Sequence, residues 1–280
     1  MAVDEKVRKM RIKCITTFHQ PGLEQYGQRL IDSWAKNVHP AIKLIVYAED
    51  CIPVVPPGAN IVVVDAKQAL PKLNAFKERH KNDPKANGKC PWPARRPRDH
   101  HKEFKWDAVR FANKTYAVFE AAQDLETDIL VWIDGDTYVH SPITYGEFRN
   151  LVPASQWLHY LGRMKKWPEC GWYGLTLRTP GADAFLKEFE RVYEEHDDGI
   201  FKMEEWHDSY VFDEVLKKIR IKHPNIKDFS GHLVNGEGHP LINCELGAWF
   251  DHLKGVRKEE GRSRKKDLLQ PRSETYWNEV

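Results

Sequence analysis

Two aspartates one residue apart, Asp134 and Asp136, close a run of apolar residues, Ile129-Leu130-Val131-Trp132-Ile133. The run is short and rich in β-branched and aromatic side chains, the composition of a buried strand. In an open α/β sheet, ligands bind beyond the carboxyl ends of the strands, and the two acids fall there. Carboxylates so close repel each other, and a divalent cation relieves the repulsion. Hard oxygen ligands suit Mg2+ or Mn2+, with substrate phosphates and water completing the shell. Asp-Gly is also a common turn dipeptide, so these residues alone leave a solvated turn open.

A second group lies far along the chain: His252, Gly255, Arg257 and Lys258. A neutral imidazole can be a third metal ligand beside two carboxylates. Gly255 lets the backbone approach a ligand closely. Lys258 or Arg257 can neutralise a diphosphate.

The elements that must position these residues follow from periodicity. Residues 13–18, 43–48 and 60–65 predict strands. A helix between the first two carries Leu23, Tyr26, Leu30 and Trp34 on one face. Strand, helix, strand opens a parallel α/β sheet. Thr16, Thr17 and Phe18 end the first strand and, in a nucleotide-binding sheet, would face base and ribose; capping the strand is the alternative. Residues 106–122 predict a helix feeding the strand before Asp134, with Val109, Ala112, Tyr116 and Phe119 inward. Arg110 and Lys114, four apart, share one side of it. Facing the cleft, they would contact phosphate or sugar; facing away, they are surface cations. Strands are expected at 158–161 and 169–177. Helices follow through Phe185, Phe189 and Val192, and through Phe212, Val215 and Ile219, the latter with Asp208 as its N-cap. Residues 226–239 read as irregular.

Composition narrows the class. The chain has 280 residues, 41% hydrophobic and 30% charged, the balance of a soluble globular protein with a substantial core. A net charge of +2 is too small to imply nucleic-acid binding by itself. The cysteines Cys14, Cys51, Cys90, Cys170 and Cys244 are scattered, odd in number and lack a Cys-x-x-Cys pair. That argues against a disulfide framework or a cysteine zinc site and for a reducing compartment. The charged N-terminus has no apolar leader core and no apolar run reaches membrane-spanning length. A cytoplasmic protein without an integral membrane segment is the expectation. Residues 70–105 are an insertion, rich in proline and then basic through Arg95, Arg96, Arg98, His100, His101, Lys102 and Lys105. It reads as a surface excursion or as a lid over phosphates or an anionic acceptor. Residues 263–280 form a charged tail, expected to pack loosely, which leaves one domain over 1–262.

A strand ending in Asp-x-Asp, followed late by His-x-x-Gly-x-x-Lys, resembles the GT-A glycosyltransferases. The pattern is similar to the glycogenin and bacterial galactosyltransferase branch, family 8, as a distant member of phage or bacterial type. The resemblance implies a Rossmann-like GT-A fold, a mostly parallel α/β sheet flanked by helices. It implies Mn2+ or Mg2+ on Asp134, Asp136 and His252, and the donor diphosphate on Lys258. The stretch around Gly171 looks like the family strand beside the donor sugar. Trp206-His207-Asp208-Ser209 resembles the family's Asp-Gln segment, with serine where glutamine is usual. Glu259-Glu260 replace the family's Pro-Trp after Lys258, so Arg257 competes with Lys258 for the phosphate role.

The function this implies is metal-dependent transfer of a hexosyl group from a nucleotide-sugar, UDP-linked, to a hydroxyl on a glycan or small molecule. If the reaction inverts, Asp208 is the first choice of base and Glu169 the second; if it retains, Asp208 positions substrate. Three alternatives stay open. A nucleotidyltransferase would need a Gly-rich phosphate loop after the first strand, where His19-Gln20-Pro21-Gly22 supplies one glycine. A non-catalytic nucleic-acid-binding module would use the basic run with Trp92 and Trp106. A DNA-modifying glycosyltransferase would flip a hydroxylated base into the cleft.

Overall fold

The computed structural model describes residues 9–195, 199–233 and 238–279. The charged N-terminus and residues 234–237 of the 226–239 stretch lie outside them; that stretch, expected to be irregular, opens with a strand at Ile226–Asp228. The β-branched runs form β1 (Ile12–Phe18), β2 (Lys43–Ala48), β3 (Ile61–Asp65) and β4 (Ile129–Ile133), followed by β5 (Thr137–Val139), β6 (Leu158–Arg163), β7 (Lys166–Thr176), β8 (Ile226–Asp228) and β9 (Phe250–His252). Seven of these make one sheet in the order β3-β2-β1-β4-β7-β6-β8, and β5 pairs with β9 in a small second sheet. β1 to β4 run parallel, β7 runs against both β4 and β6, and β8 is parallel to β6. The sheet is therefore mostly parallel, with β7 reversed.

Helices cover both faces. On one, Ala108–Ala121, Pro180–Glu194 and Asp208–Ile219 bury Tyr116, Phe119, Phe185, Phe189 and Phe212 against Trp132 and Tyr173. On the other, Gln28–Asn37 buries Leu30, Ile31 and Trp34 among Ile133, Phe148, Trp172 and Phe250. β4 is buried along its whole length because both faces are covered. The chain crosses from β3 to the other side of β1 to make β4. β1 and β4 thus flank a topological switch point, whose carboxyl ends open a crevice.

The tail does not pack loosely. Trp277 is 3% exposed and donates its indole N–H to the Gly247 carbonyl at 2.7 Å. Tyr276 stacks on His140 with ring centroids 4.1 Å apart. Asp251, fully buried in β9, accepts from the Ser263 amide (2.7 Å), the Ser263 hydroxyl (2.6 Å) and the Tyr276 hydroxyl (2.7 Å). A buried carboxylate needs those donors, and all three come from Ser263 and Tyr276, so the tail holds β9 in place. Tyr276→Phe removes one donor and is expected to destabilise the fold by about 1–3 kcal/mol. Truncation after Arg262 should be worse, read as a lower Tm with loss of tryptophan burial.

Candidate functional site

The small β5–β9 sheet joins the two sequence motifs. Thr137 lies opposite His252, Tyr138 opposite Asp251 and Val139 opposite Phe250. The helix Gln28–Asn37 anchors β5 through Asn37, which donates to the Val139 carbonyl at 2.6 Å, and Ser33, which accepts from the Val139 amide at 3.2 Å. The ladder seats His252 beside the end of β4. One ligand atom each from Asp134, Asp136 and His252 lies within 4.8 Å of the other two. His252 Nε2 is 2.9 Å from Asp136 Oδ1 and 3.7 Å from Asp134 Oδ2. Two carboxylates and an imidazole fit a hard or borderline divalent cation.

Glycine makes the room. A side chain at Gly171 would begin 2.5 Å from His252 Cε1 and 3.3 Å from Asp134 Oδ2. Gly171 sits where β7 bulges against β6, between the Tyr160–Tyr173 and Leu161–Glu169 pairs, and its carbonyl accepts from the Asp134 amide at 2.8 Å. Bulges of this kind re-aim strands beside functional sites. Gly135 in turn leaves space for Phe18 and for Tyr26, which stands in a π-helical turn, Leu23–Gly27.

Lys114 faces the crevice. Lys114 is buried, with its ammonium 2.9 Å from Asp134 Oδ1 and 2.8 Å from Asp208 Oδ2, donating also to the Cys170 carbonyl. Trp132 supplies Asp134 with a further donor at 2.7 Å. Burial works against the charge on Lys114, but Asp134 and Asp208 outweigh it and raise its pKa well above the usual value. Arg110, one turn earlier, is exposed. Lys258 reaches Asp136 Oδ2 at 3.1 Å and lies over the Tyr26 ring, whereas Arg257 turns away to Asp267 at 3.2 Å. Gly255, at φ +64°, makes the turn that delivers Lys258. Of the first-strand residues, Thr16 and Phe18 are buried inside the sheet; Thr17 is half-buried and donates to the Tyr47 carbonyl.

Burial disfavours ionisation of Asp136, yet His252 and Lys258 hold its carboxyl below the usual range. Burial likewise opposes a charged His252, and Asp136, Asp134 and Glu169 raise its pKa regardless. Asp208 is not the N-cap of its helix. That position belongs to His207, whose Nδ1 accepts from the Tyr210 amide. Asp208 is the first helical residue, with its carboxyl turned inward to Lys114 and lowered in pKa by it against the effect of burial. Glu169, buried in β7, is ringed by Arg163 (3.3 Å), Lys254 (3.1 Å) and His239 (3.8 Å), which depress its pKa despite burial.

The basic insertion buttresses this site. Lys105 is buried between Glu205 at 2.8 Å and Asp99 at 3.1 Å, and Arg96 reaches Glu204 and Glu205. The Lys105 carbonyl accepts from the Trp206 amide at 2.6 Å. Arg96 and Lys105 of the basic run are thus paired within the fold, next to the start of the Asp208 helix, while Arg95 and Arg98 are exposed. Sequence reasoning missed the site roles of Lys254, His239, Tyr26 and Arg163; Lys254 fills a variable position of the His252 motif, Tyr26 reads as a packing residue, and contact alone reveals them.

No protein-family model matches the sequence, and no curated protein matches it. Among solved structures, the apo WbbM bifunctional glycosyltransferase aligns over 91% of this chain and 45% of its own, at 12% identity and a TM-score of 0.45. Apo mouse xyloside xylosyltransferase 1 aligns over 81% of this chain and 86% of its own, at 11% identity and 0.40. The glycosyltransferase GlyE of Streptococcus pneumoniae TIGR4 aligns over 78% and 45%, at 8% identity and 0.40. This chain thus spans less than half of two of these proteins. Likeness of that depth does not bear on the chemistry, which rests on the residues above.

Lys114→Met leaves the buried Asp208 without its cation and takes one of its donors from the half-buried Asp134. It is expected to destabilise by about 3–5 kcal/mol. Mn2+ should restore part of the Tm, because a cation at Asp134 replaces the missing ammonium. An unchanged Tm would remove Lys114 from the site's electrostatics.

Proposed function

We propose that the chain is a metal-dependent glycosyltransferase of family 8 type, moving a hexosyl group from a UDP-sugar to a hydroxyl acceptor in the cytoplasm. The observation that carries this is the meeting of Asp134, Asp136 and His252 within 4.8 Å, with Lys258 on Asp136, at the end of β4. A nucleotide-sugar donor is a diphosphate ester, and this combination of cation ligands and lysine suits it. Among the described residues no helix is long and apolar enough to cross a membrane.

When bound, Mn2+ or Mg2+ supplies Lewis-acid stabilisation of the departing diphosphate. Asp134 and Asp136 would hold it, and His252 would join them on releasing the proton that now faces Asp136. Lys258 is free to move from Asp136 onto the diphosphate and stabilise the charge that grows as the glycosidic bond breaks. Lys114 fixes Asp134 and Asp208 relative to each other. A general base works best with a pKa near the operating pH. Asp208 and Glu169 are both held below the usual carboxylate range by cations. That supports Asp208 as a positioning group for substrate and a retaining outcome, over proton removal by either acid.

The acceptor is a glycan or small molecule. A groove of about 470 Å³ adjoins the site through Arg163 and is lined by Trp167, Tyr210, Lys166 and Arg220. Internal pairing of Arg96 and Lys105 in the basic insertion speaks against DNA.

The test is UDP release from a panel of UDP-sugars. Turnover is expected with Mn2+, none with excess chelator, and at least about a hundredfold less for Asp136→Ala, as for losing a principal electrostatic group. Lys258→Ala should weaken UDP more than uridine, which lacks the diphosphate. Chelator-insensitive turnover, or equal losses for UDP and uridine, would sink the assignment.

A further inference from the structure

His252 belongs to two groups of ligand atoms. Besides the set with Asp134 and Asp136, one atom each from Glu169, His239 and His252 lies within 4.8 Å of the other two, and all three residues are buried. Two nitrogens of this second set have no hydrogen-bond partner: Nε2 of His239, a residue 6% exposed, and Nδ1 of His252, a residue 1% exposed. Buried polar atoms rarely go unpaired. A ring that faces a metal with one nitrogen normally gives its other N–H to a carboxylate or carbonyl. His252 meets that pattern only through Nε2, which faces Asp136 at 2.9 Å; its Nδ1 and the Nε2 of His239 reach no such group. Glu169 Oε2 stops 3.8 Å from His239 Nε2, too far for a hydrogen bond. It is close to the roughly 3.3 Å that separates two ligands on one tetrahedral zinc with bonds near 2.0–2.1 Å. The His239 and His252 rings meet edge to face, centroids 4.3 Å apart.

The chemistry of the two sets differs. Asp134, Asp136 and His252 are oxygen-rich and suit Mn2+ or Mg2+. Two imidazoles and one glutamate are a zinc set. We propose that Glu169, His239 and His252 form a second, zinc-selective site, and that zinc there competes with the cation of the first site for His252. The competition follows from lone pairs. A neutral imidazole has one unprotonated nitrogen, so His252 serves the first site through Nε2 or the second through Nδ1, one at a time. Two contacts must yield, and Arg163, 3.3 Å from Glu169 Oε2, must share that carboxylate with the ion. Lys254 must leave Glu169, which its exposed position on the loop allows. His239, binding through Nε2, must move its ring proton to Nδ1 and give up the long 3.3 Å contact from the Leu241 amide. Zinc binding stands independently of the glycosyltransferase reading; only its consequence, suppressed turnover, rests on that reading.

The full-length protein is titrated calorimetrically with Zn2+ and with Mn2+, alone and in competition, with Co2+ as an optical probe. His239→Ala and Glu169→Gln should each weaken Zn2+ by more than the roughly tenfold lost with an outer-shell partner, without weakening Mn2+. Asp136→Ala should do the reverse. Each cation should weaken the other by the same factor. Co2+ should give the intense visible absorption of a four-coordinate ion, lost in His239→Ala. His239→Gln, which keeps a polar end toward Leu241, is the second variant should the alanine protein fail to fold. Zn2+ affinity that survives the His239 and Glu169 substitutions, or that falls with Asp136→Ala instead, overturns the site. Independent binding of Zn2+ and Mn2+ overturns the competition. If the titrations come out as expected while no UDP-sugar is turned over, the zinc site stands and the transferase reading falls.

Discussion

Crowding of like charge at one end of β4 is the constraint on which the rest of this structure depends. Asp134, Asp136 and Asp208 converge where little water screens them, and two unit charges 4 Å apart interact by about 4 kcal/mol even at an effective dielectric near 20. Such a cluster persists only if cations are brought to it. Lys114 comes from the helix before β4, His252 from β9 and Lys258 from the turn after it. No local stretch supplies them. The sheet, the β5–β9 ladder and the helix Ala108–Ala121 must all form before the acids are neutralised.

This dependence explains why segments far from the crevice are tied down by buried polar contacts. The tail surrounds Asp251 with donors, and Asp251 is the residue before His252. The insertion places Lys105 on Glu205, which also touches His207, the residue before Asp208. Each support acts one position away from a group that faces the site. Buried pairs of this kind contribute less to net stability than to fixing one arrangement, because desolvation offsets much of their attraction. Their use here is positional: a ligand set cannot tolerate displacement of about 1 Å.

The sheet was legible because its signals are local. β2 and β4 match their expected bounds, and β1 and β3 begin within a residue of theirs; each is a short β-branched run ended by a turn or an acid. The pairing of Asp134 and Asp136 with His252 was legible as chemistry, since too few ligands sat together without a third. Less legible was anything set by tertiary packing. The reversal of β7 has no sequence signature, as its alternation reads the same in either direction. Asp208 looked like an N-cap because acids favour that position, and the cap fell to His207 since Lys114 draws the carboxylate inward. The tail looked loose because its charge outweighs its apolar content, yet Tyr276 and Trp277 suffice to seat it. His239 stands in a segment without period or motif, Lys254 at a variable position of the His252 motif and Arg163 just past a predicted strand, and only the fold brings them to Glu169.

The cations that close the crevice sit on elements of unequal firmness, and that inequality has chemical meaning. Lys114 is buried in a helix and held by two aspartates, so it is a permanent part of the site. Lys254 and Lys258 stand on either side of Gly255, whose left-handed backbone and open surroundings mark an exposed turn. In this state they pair with Glu169 and Asp136. With Asp134 and Asp136 holding a divalent cation, Lys258 would no longer be needed to offset their charge and would be available where, on the proposed reading, a diphosphate arrives. Cation and lysine would then be partners in sequence: the first satisfies the protein's acids, and the second becomes available to the substrate. A rigid element could not make that exchange. A turn built on glycine, at the end of a strand fixed by the tail, can move its lysines without moving His252.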